Sequence, residues 1–197
     1  MRGKRRIFEE FAADYDRWFD DHADVYHAQL RLLKKAVPSD GFGLDVGVGS
    51  GRFAAPLGIC CGIDPSLPLA IIAKRRGVEI ALGVGEHLPY YSESFDYSMM
   101  MTVICFLDNI PGVFQEVFRV LRPQGRIIIG FIERDGEIFR HYHAELEKGR
   151  FLRHARFYTI DEVIQELRDA GFSIIEITAR KHGFCVLTGK KDISRSP

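Results

Sequence analysis

A chain of 197 residues has room for one α/β core and is short for two, and its 46% hydrophobic and 27% charged content is ordinary for a folded globular protein. Lys plus Arg and Asp plus Glu both number 27, so the formal charge is zero; that argues against a nucleic-acid binder's broad phosphate-neutralising surface and favours a small or neutral substrate. No segment reaches the about 20 apolar residues of a membrane-spanning helix, no apolar run follows the basic start, and Cys60, Cys61, Cys105 and Cys185 lack a CxxC spacing, so a cytoplasmic protein with no membrane association is expected.

The chain opens with Arg2, Lys4, Arg5 and Arg6, which with Lys190 and Lys191 near the other end read as solvated tails. Phe8, Phe11, Ala12, Tyr15, Trp18 and Phe19 then recur at helical spacing, and Val25, Leu30, Leu32, Leu33 and Ala36 predict a second helix ending before Pro38. Residues 1–38 thus form a helical cap ahead of the sheet. Strands are predicted at Phe42–Val46, Gly58–Ile63, Val78–Leu82, Phe95–Met101, Gly125–Ile132, Ser173–Ala179 and Phe184–Thr188, with Cys60 and Cys61 on one buried strand. Between them, Leu67–Arg75 and Pro111–Leu121 read as helices, and Thr159 with Glu162 has the spacing of a capping box for a late helix that Gly171 would close. Strands alternating with helices predict a mainly parallel sheet covered on both faces. The least regular segment, 133–158, lies between the fifth strand and the late helix. With no repeat, low-complexity tract or linker, the chain reads as a single domain.

After the first strand stands Leu44-Asp45-Val46-Gly47-Val48-Gly49-Ser50-Gly51-Arg52, leading into a helical segment expected near Arg52. Glycines at 47, 49 and 51 let the backbone turn tightly and approach a ligand, and free N–H groups there favour an anion. The dinucleotide fingerprint G-x-G-x-x-G would need glycine at position 52, where this chain has Arg. Asp64, 19 positions after Asp45 and at the end of the second strand, can accept from two ribose hydroxyls. Asp45 could hold an ammonium group, directly or through water. A ligand with carboxylate, ammonium and ribose is an adenosyl amino acid.

This loop resembles motif I of the class I S-adenosylmethionine (SAM) dependent methyltransferases. Gly83-Val84-Gly85-Glu86-His87-Leu88-Pro89-Tyr90 followed by Ser94-Phe95-Asp96 is similar to that family's block before the fourth strand, and Leu121-Arg122-Pro123-Gln124-Gly125-Arg126 to its segment before the fifth. Phe157-Tyr158-Thr159 through Ala170-Gly171-Phe172 and then Gly183-Phe184-Cys185-Val186 resemble its late helix and last strand. The likeness spans about residues 40–190 in order and is nearest in style to the ubiquinone/menaquinone-biosynthesis-like branch. It implies an α/β fold with a seven-stranded, mostly parallel, doubly wound Rossmann-like sheet, the last strand antiparallel. It also implies SAM as cofactor, with its methionine part against Asp45, Gly47 and Gly49, its ribose on Asp64, its adenine edge by Val84, Gly85 and Glu86, and Gly51 as a further cofactor-binding residue of the loop. Pro65 and Ser66 would lie near the adenine, and Met101 or Thr102 beside the methionine moiety.

The family commonly has Asp where this chain has Val84; losing that acceptor should cost about 1 kcal/mol. Cys105-Phe106 stand where related enzymes often carry His-His. Met99 and Met100 read as strand filler, and Met101 lies at the strand's end. Tyr15 and Trp18 face either the core or, as in similar proteins, a substrate pocket. His141-x-His143 lacks a third metal ligand at convincing spacing, so no metal is expected; the pair reads as solvated or as part of a substrate lid within 133–158, with His143 the substrate candidate. No spacing singles out a catalytic base among His141, His143 and His154, so no catalytic residue is assigned. The expected reaction is methyl transfer from SAM to an O, N or C nucleophile of a small molecule; an NAD(P)-dependent oxidoreductase and a non-catalytic SAM-binding protein are the alternatives. Acceptor and oligomeric state are not legible.

Overall fold

A computed structural model describes residues 2–144, 151 and 154–192. Three helices come first: α1 (Arg2–Glu10), α2 (Ala12–Asp21) and α3 (Ala23–Leu33). The first predicted helix is therefore two, divided at Phe11, whose ψ of 32° leaves the helical region. The sheet follows, with β1 (Gly43–Val46), β2 (Cys61–Asp64), α4 (Leu67–Arg75), β3 (Glu79–Leu82), β4 (Phe95–Met101), α5 (Ile110–Val120), β5 (Leu121–Ile132), α6 (Glu137–Ala144), α7 (Ile160–Asp169), β6 (Phe172–Lys181) and β7 (Phe184–Lys191).

The seven strands lie in the order β3-β2-β1-β4-β5-β7-β6. The first five are parallel, and β7 runs antiparallel between β5 and β6, which is the expected Rossmann-like sheet. Strand order reverses between β1 and β4, and the crevice beyond the carboxyl ends of strands at such a reversal is where open α/β sheets bind ligands.

Each face has its own core, because successive strand residues point to opposite sides. Leu44, Val46, Met100 and Ile129 pack beneath Phe114 and Val117 of α5 and Leu167 of α7. Met99, Met101 and Ile128 pack with Phe19 of α2, Leu33 of α3 and Phe53 on the other face. Local signals position the helices as expected. The Asn109 side chain accepts from Gly112 N–H at the start of α5, with Pro111 in the first turn. Thr159 and Glu162 form the reciprocal capping box of α7, and Gly171 adopts φ 99° just past its end.

Several expectations change. Cys60 is exposed and precedes β2, so only Cys61, half-buried, belongs to that strand. The glycine loop leads into turns and a three-residue 3-10 stretch, Ala55–Leu57, rather than an α-helix at Arg52. Lys190 and Lys191 lie in β7; Lys191 Nζ donates to the Leu121 carbonyl at 2.7 Å and sits over the Phe118 ring, so it is no solvated tail.

Candidate functional site

The glycine loop is fixed from beneath. Gly47 and Val48 N–H both donate to the Ile63 carbonyl, at 2.8 and 3.1 Å, and Gly49 N–H donates to Asp64 Oδ2 at 2.9 Å. The other Asp64 oxygen accepts from Ser66 N–H at 2.8 Å, so this carboxylate staples the loop to the tip of β2. Gly47 has φ 76°, and a Cβ there would stand 2.3 Å from Val103 Cγ2, so position 47 admits no side chain. At Gly49 a Cβ would meet the Tyr15 ring at 3.4 Å. Gly51 corrects the expectation: its Cβ direction meets Ala73 of α4, and it serves helix packing instead of lining the crevice.

Above the loop lies a cavity of about 240 Å³. Its floor is Val46, Gly47 and Gly49; one wall is Ile63, Asp64, Pro65 and Ser66; another is Gly83, Val84, Gly85 and Glu86. Met101, Thr102 and Val103 close the side after β4, and Phe106, Leu107 and Asp108 continue it. The roof comes from Arg5 and Phe8 of α1 and Tyr15 of α2. Of the residues expected from sequence, Gly47, Gly49, Asp64, Pro65, Val84, Gly85, Glu86, Met101, Thr102 and Tyr15 are brought together here. Trp18 is not among them: it stacks on His22 and meets Phe19 edge-on. The side chain of His143 lies outside the described residues. His154 is exposed, and among the described residues no cluster could hold a metal ion.

Asp45 does not line the cavity but lies one residue behind its floor, 2% exposed, with Oδ1 lacking a hydrogen-bond partner among the described residues. Burial, with the neighbouring charge of Asp64, pushes its carboxyl up to about 8. A buried carboxyl without a partner is costly unless a cationic or hydrogen-bonding group of a ligand completes it. Burial also raises Asp64 above the usual carboxylate range, against the opposing hydrogen bonds from Ser66 and Gly49. The Tyr15 hydroxyl is likewise held protonated by burial and the surrounding acids. Thr102, at the tip of β4, has φ 51°, an uncommon conformation for a β-branched residue, and its N–H is held by the Gly130 carbonyl at 2.7 Å.

The roof is aromatic, and sequence reasoning did not assemble it. Phe8 meets Tyr15 and Phe106 edge-on at 5.4 and 5.1 Å and stacks on Phe151 at 5.3 Å. Phe106 therefore adds apolar wall to the cavity beside Phe8. Cys105 is buried with its Sγ–H against the Thr102 carbonyl at 3.2 Å.

These residues fit a SAM-type ligand: a tight glycine turn that lets a ligand approach, an acid at the neighbouring strand tip, and a buried carboxyl oxygen without a partner for a cation. The expected free N–H groups are not there, because those of Gly47, Val48, Gly49 and Gly51 already donate to Ile63, Asp64 and Val48. The sequence profile of a family described as a methyltransferase domain matches residues 44–129. A solved structure from Thermotoga maritima, described as a SAM-dependent methyltransferase and possible histamine N-methyltransferase, is 35% identical with a TM-score of 0.89, covering 95% of this chain and 99% of that one. The malonyl-[acyl-carrier protein] O-methyltransferase of Geobacter sulfurreducens is 31% identical over 89% of this chain and 72% of its own length. The chain belongs to the class I SAM-dependent methyltransferases. An uncharacterized protein of Methanocaldococcus jannaschii, 39% identical over 87% of this chain and 83% of its own length, resembles this methyltransferase over nearly the same span. Membership makes the protein an enzyme with SAM as its methyl donor, and it sets aside the nicotinamide-dependent and non-catalytic alternatives. Among the described residues, no helix of the methyltransferase is long and apolar enough to cross a membrane.

Proposed function

We propose that this methyltransferase moves a methyl group from SAM to an O, N or C nucleophile of a small molecule. The observation that carries the reading is the roofed cavity whose floor and walls suit the cofactor and whose aromatic side, Phe8, Tyr15 and Phe106, is an apolar surface for an acceptor. We assign Asp45, Gly47 and Gly49 to the amino-acid part of SAM, Asp64 to its ribose, and Val84, Gly85 and Glu86, with Pro65 nearby, to its adenine. Met101 and Thr102 flank the methionine moiety. Residues 1–38 act as the cap of a single methyltransferase domain, and 133–158 as its substrate-side segment, an arrangement supported by the contact of Phe151 with Phe8 and Tyr15.

SAM, when bound, supplies a methyl group on a positively charged sulfur, already activated for transfer. The chain's part is then to orient and to exclude water. The rigid turn at Gly47–Gly49 and the Asp64 carboxylate stapled to it form a fixed floor for the slot, and the aromatic roof keeps bulk water from the centre. Asp45, one residue behind the floor, attracts the ammonium end when ionised, directly or through water. The protonated Tyr15 hydroxyl, seated at the loop, is available as a hydrogen-bond donor toward the acceptor.

The named relatives act, or are described as acting, on unlike acceptors, a carrier-bound malonyl group and an amine. The acceptor must therefore be found by experiment. Calorimetric titration with SAM, S-adenosylhomocysteine and NAD, followed by transfer of a labelled methyl group into fractionated small metabolites, tests the proposal. Binding of the first two and label in a low-molecular-mass product are expected; label confined to protein or nucleic acid would overturn it.

A further inference from the structure

The residue that breaks the dinucleotide fingerprint, Arg52, points away from the cavity and into the cap. Its Nε donates to Asp16 Oδ1 at 3.0 Å, Nη2 to the Asp16 carbonyl at 3.0 Å, and Nη1 and Nη2 to the two Asp20 oxygens at 2.7 and 2.6 Å. Arg76, just past α4, reaches the same place from the other side. Its Nη2 donates to Asp16 Oδ2 at 2.8 Å and its Nη1 to the Ser50 carbonyl inside the glycine loop at 2.7 Å. The Tyr26 hydroxyl of α3 donates to the Arg52 carbonyl at 2.6 Å. One acid of α2 thus joins two arginines, one at the end of the loop and one gripping its middle.

The side chains are neither surface decoration nor fully dry: Asp16, Arg52 and Arg76 are 18%, 16% and 27% exposed. Charge-assisted, forked bonds at this depth fix geometry better than single exposed pairs do. Tyr15 is the neighbour of Asp16 on α2, and its ring covers Gly49. Wherever Asp16 is anchored, Tyr15 is set down on the loop.

We propose that Asp16 is a positioning residue for methyl transfer, latching α2 through Arg52 and Arg76 onto the glycine loop so that Tyr15 stays seated on Gly49 and the cofactor slot stays closed. The inference rests on the methyltransferase reading of the cavity. Releasing the latch lets α2 lift, which opens an exit for bound nucleoside without removing any group that would touch it.

The chain's single tryptophan, Trp18, lies on α2 two residues from Asp16 and reports the docking of that helix directly. In the full-length protein, Asp16→Asn should increase quenching of Trp18 fluorescence by acrylamide and speed dissociation of S-adenosylhomocysteine about tenfold, the size expected for losing one charge-assisted hydrogen bond from a closing equilibrium. Asp16→Glu should restore part of both. Asp96→Asn, which breaks the Arg122 ion pair and the Phe42 N–H bond next to β4's first residue, should lower the melting temperature and leave both readouts unchanged. A folded Asp16→Asn protein with wild-type quenching and dissociation rate overturns the latch. Should that variant fail to fold, Arg76→Gln carries the same test, and unchanged readouts there overturn it equally. Absence of S-adenosylhomocysteine binding by the wild-type protein would instead strike the cofactor reading, while Trp18 quenching still decides whether Asp16 docks α2.

Discussion

Asp45 and Asp64 were both visible in the sequence as acids at strand ends, but their environments separate them. Asp64 accepts two backbone N–H bonds, whereas Asp45 has an oxygen with no partner. In the unfolded chain Asp45 has the ordinary value of about 4, and in the fold burial and the Asp64 charge push it up to about 8. Between those values the folded form alone holds the proton, so this group's contribution to stability is full below pH 4 and falls as pH rises toward 8. An ammonium group beside it favours the ionised carboxylate, so binding SAM just below pH 8 expels a proton, and affinity should rise with pH, by at most about tenfold per unit, until that value is reached. Titration calorimetry in two buffers of different ionisation heat measures the proton. Asp45→Asn should abolish it, and equal heats for the wild type would exclude Asp45 as the responsive group. Asp64→Ala should weaken SAM by about 1 to 3 kcal/mol, because a charged acceptor and the staple on Gly49 are lost together. Gly47→Ala faces both a positive φ and a 2.3 Å contact, so it should lose more than about 1 kcal/mol of stability in denaturant titration.

At the level of elements, the readable features were those with local chemistry. α4 and β4 have the bounds expected from their apolar patterns, and the capping box of α7 is formed as its spacing requires. Thr159→Ala should therefore cost about 1 kcal/mol in thermal unfolding and leave SAM affinity untouched, since α7 packs on α5 and β6, away from the crevice. What could not be read was set by contacts between distant segments. The division of the first helix at Phe11 has no Pro or Gly to announce it; its apolar residues keep a helical period across the break. β5 begins four residues early because Leu121 pairs with Phe95 through a register shift that alternation alone does not show. Gly51 looked like part of the ligand turn because its spacing matches Gly47 and Gly49, and only the approach of Ala73 reveals its different work.

For the whole molecule, the floor of the site was legible and the roof was not. The floor is a contiguous motif, whereas Phe8, Tyr15, Phe106 and Phe151 meet only after the sheet has brought the first and later parts of the chain over one crevice. A ligand closed in by so many elements should stabilise them all at once. S-adenosylhomocysteine at a hundredfold excess over its dissociation constant should raise the melting temperature by roughly 5 to 10 °C, with no shift from NAD, as scanning calorimetry would show. Position 52 also bears on redesign. Replacing Arg52 with glycine would complete the dinucleotide signature on paper, yet it would remove one of the two arginines that tie α2 to the turn that signature is meant to build, leaving Arg76 alone to hold it. On this scaffold a change of cofactor cannot be a one-residue exchange, because the mutation that invites the new nucleotide loosens the roof over the chamber that must receive it.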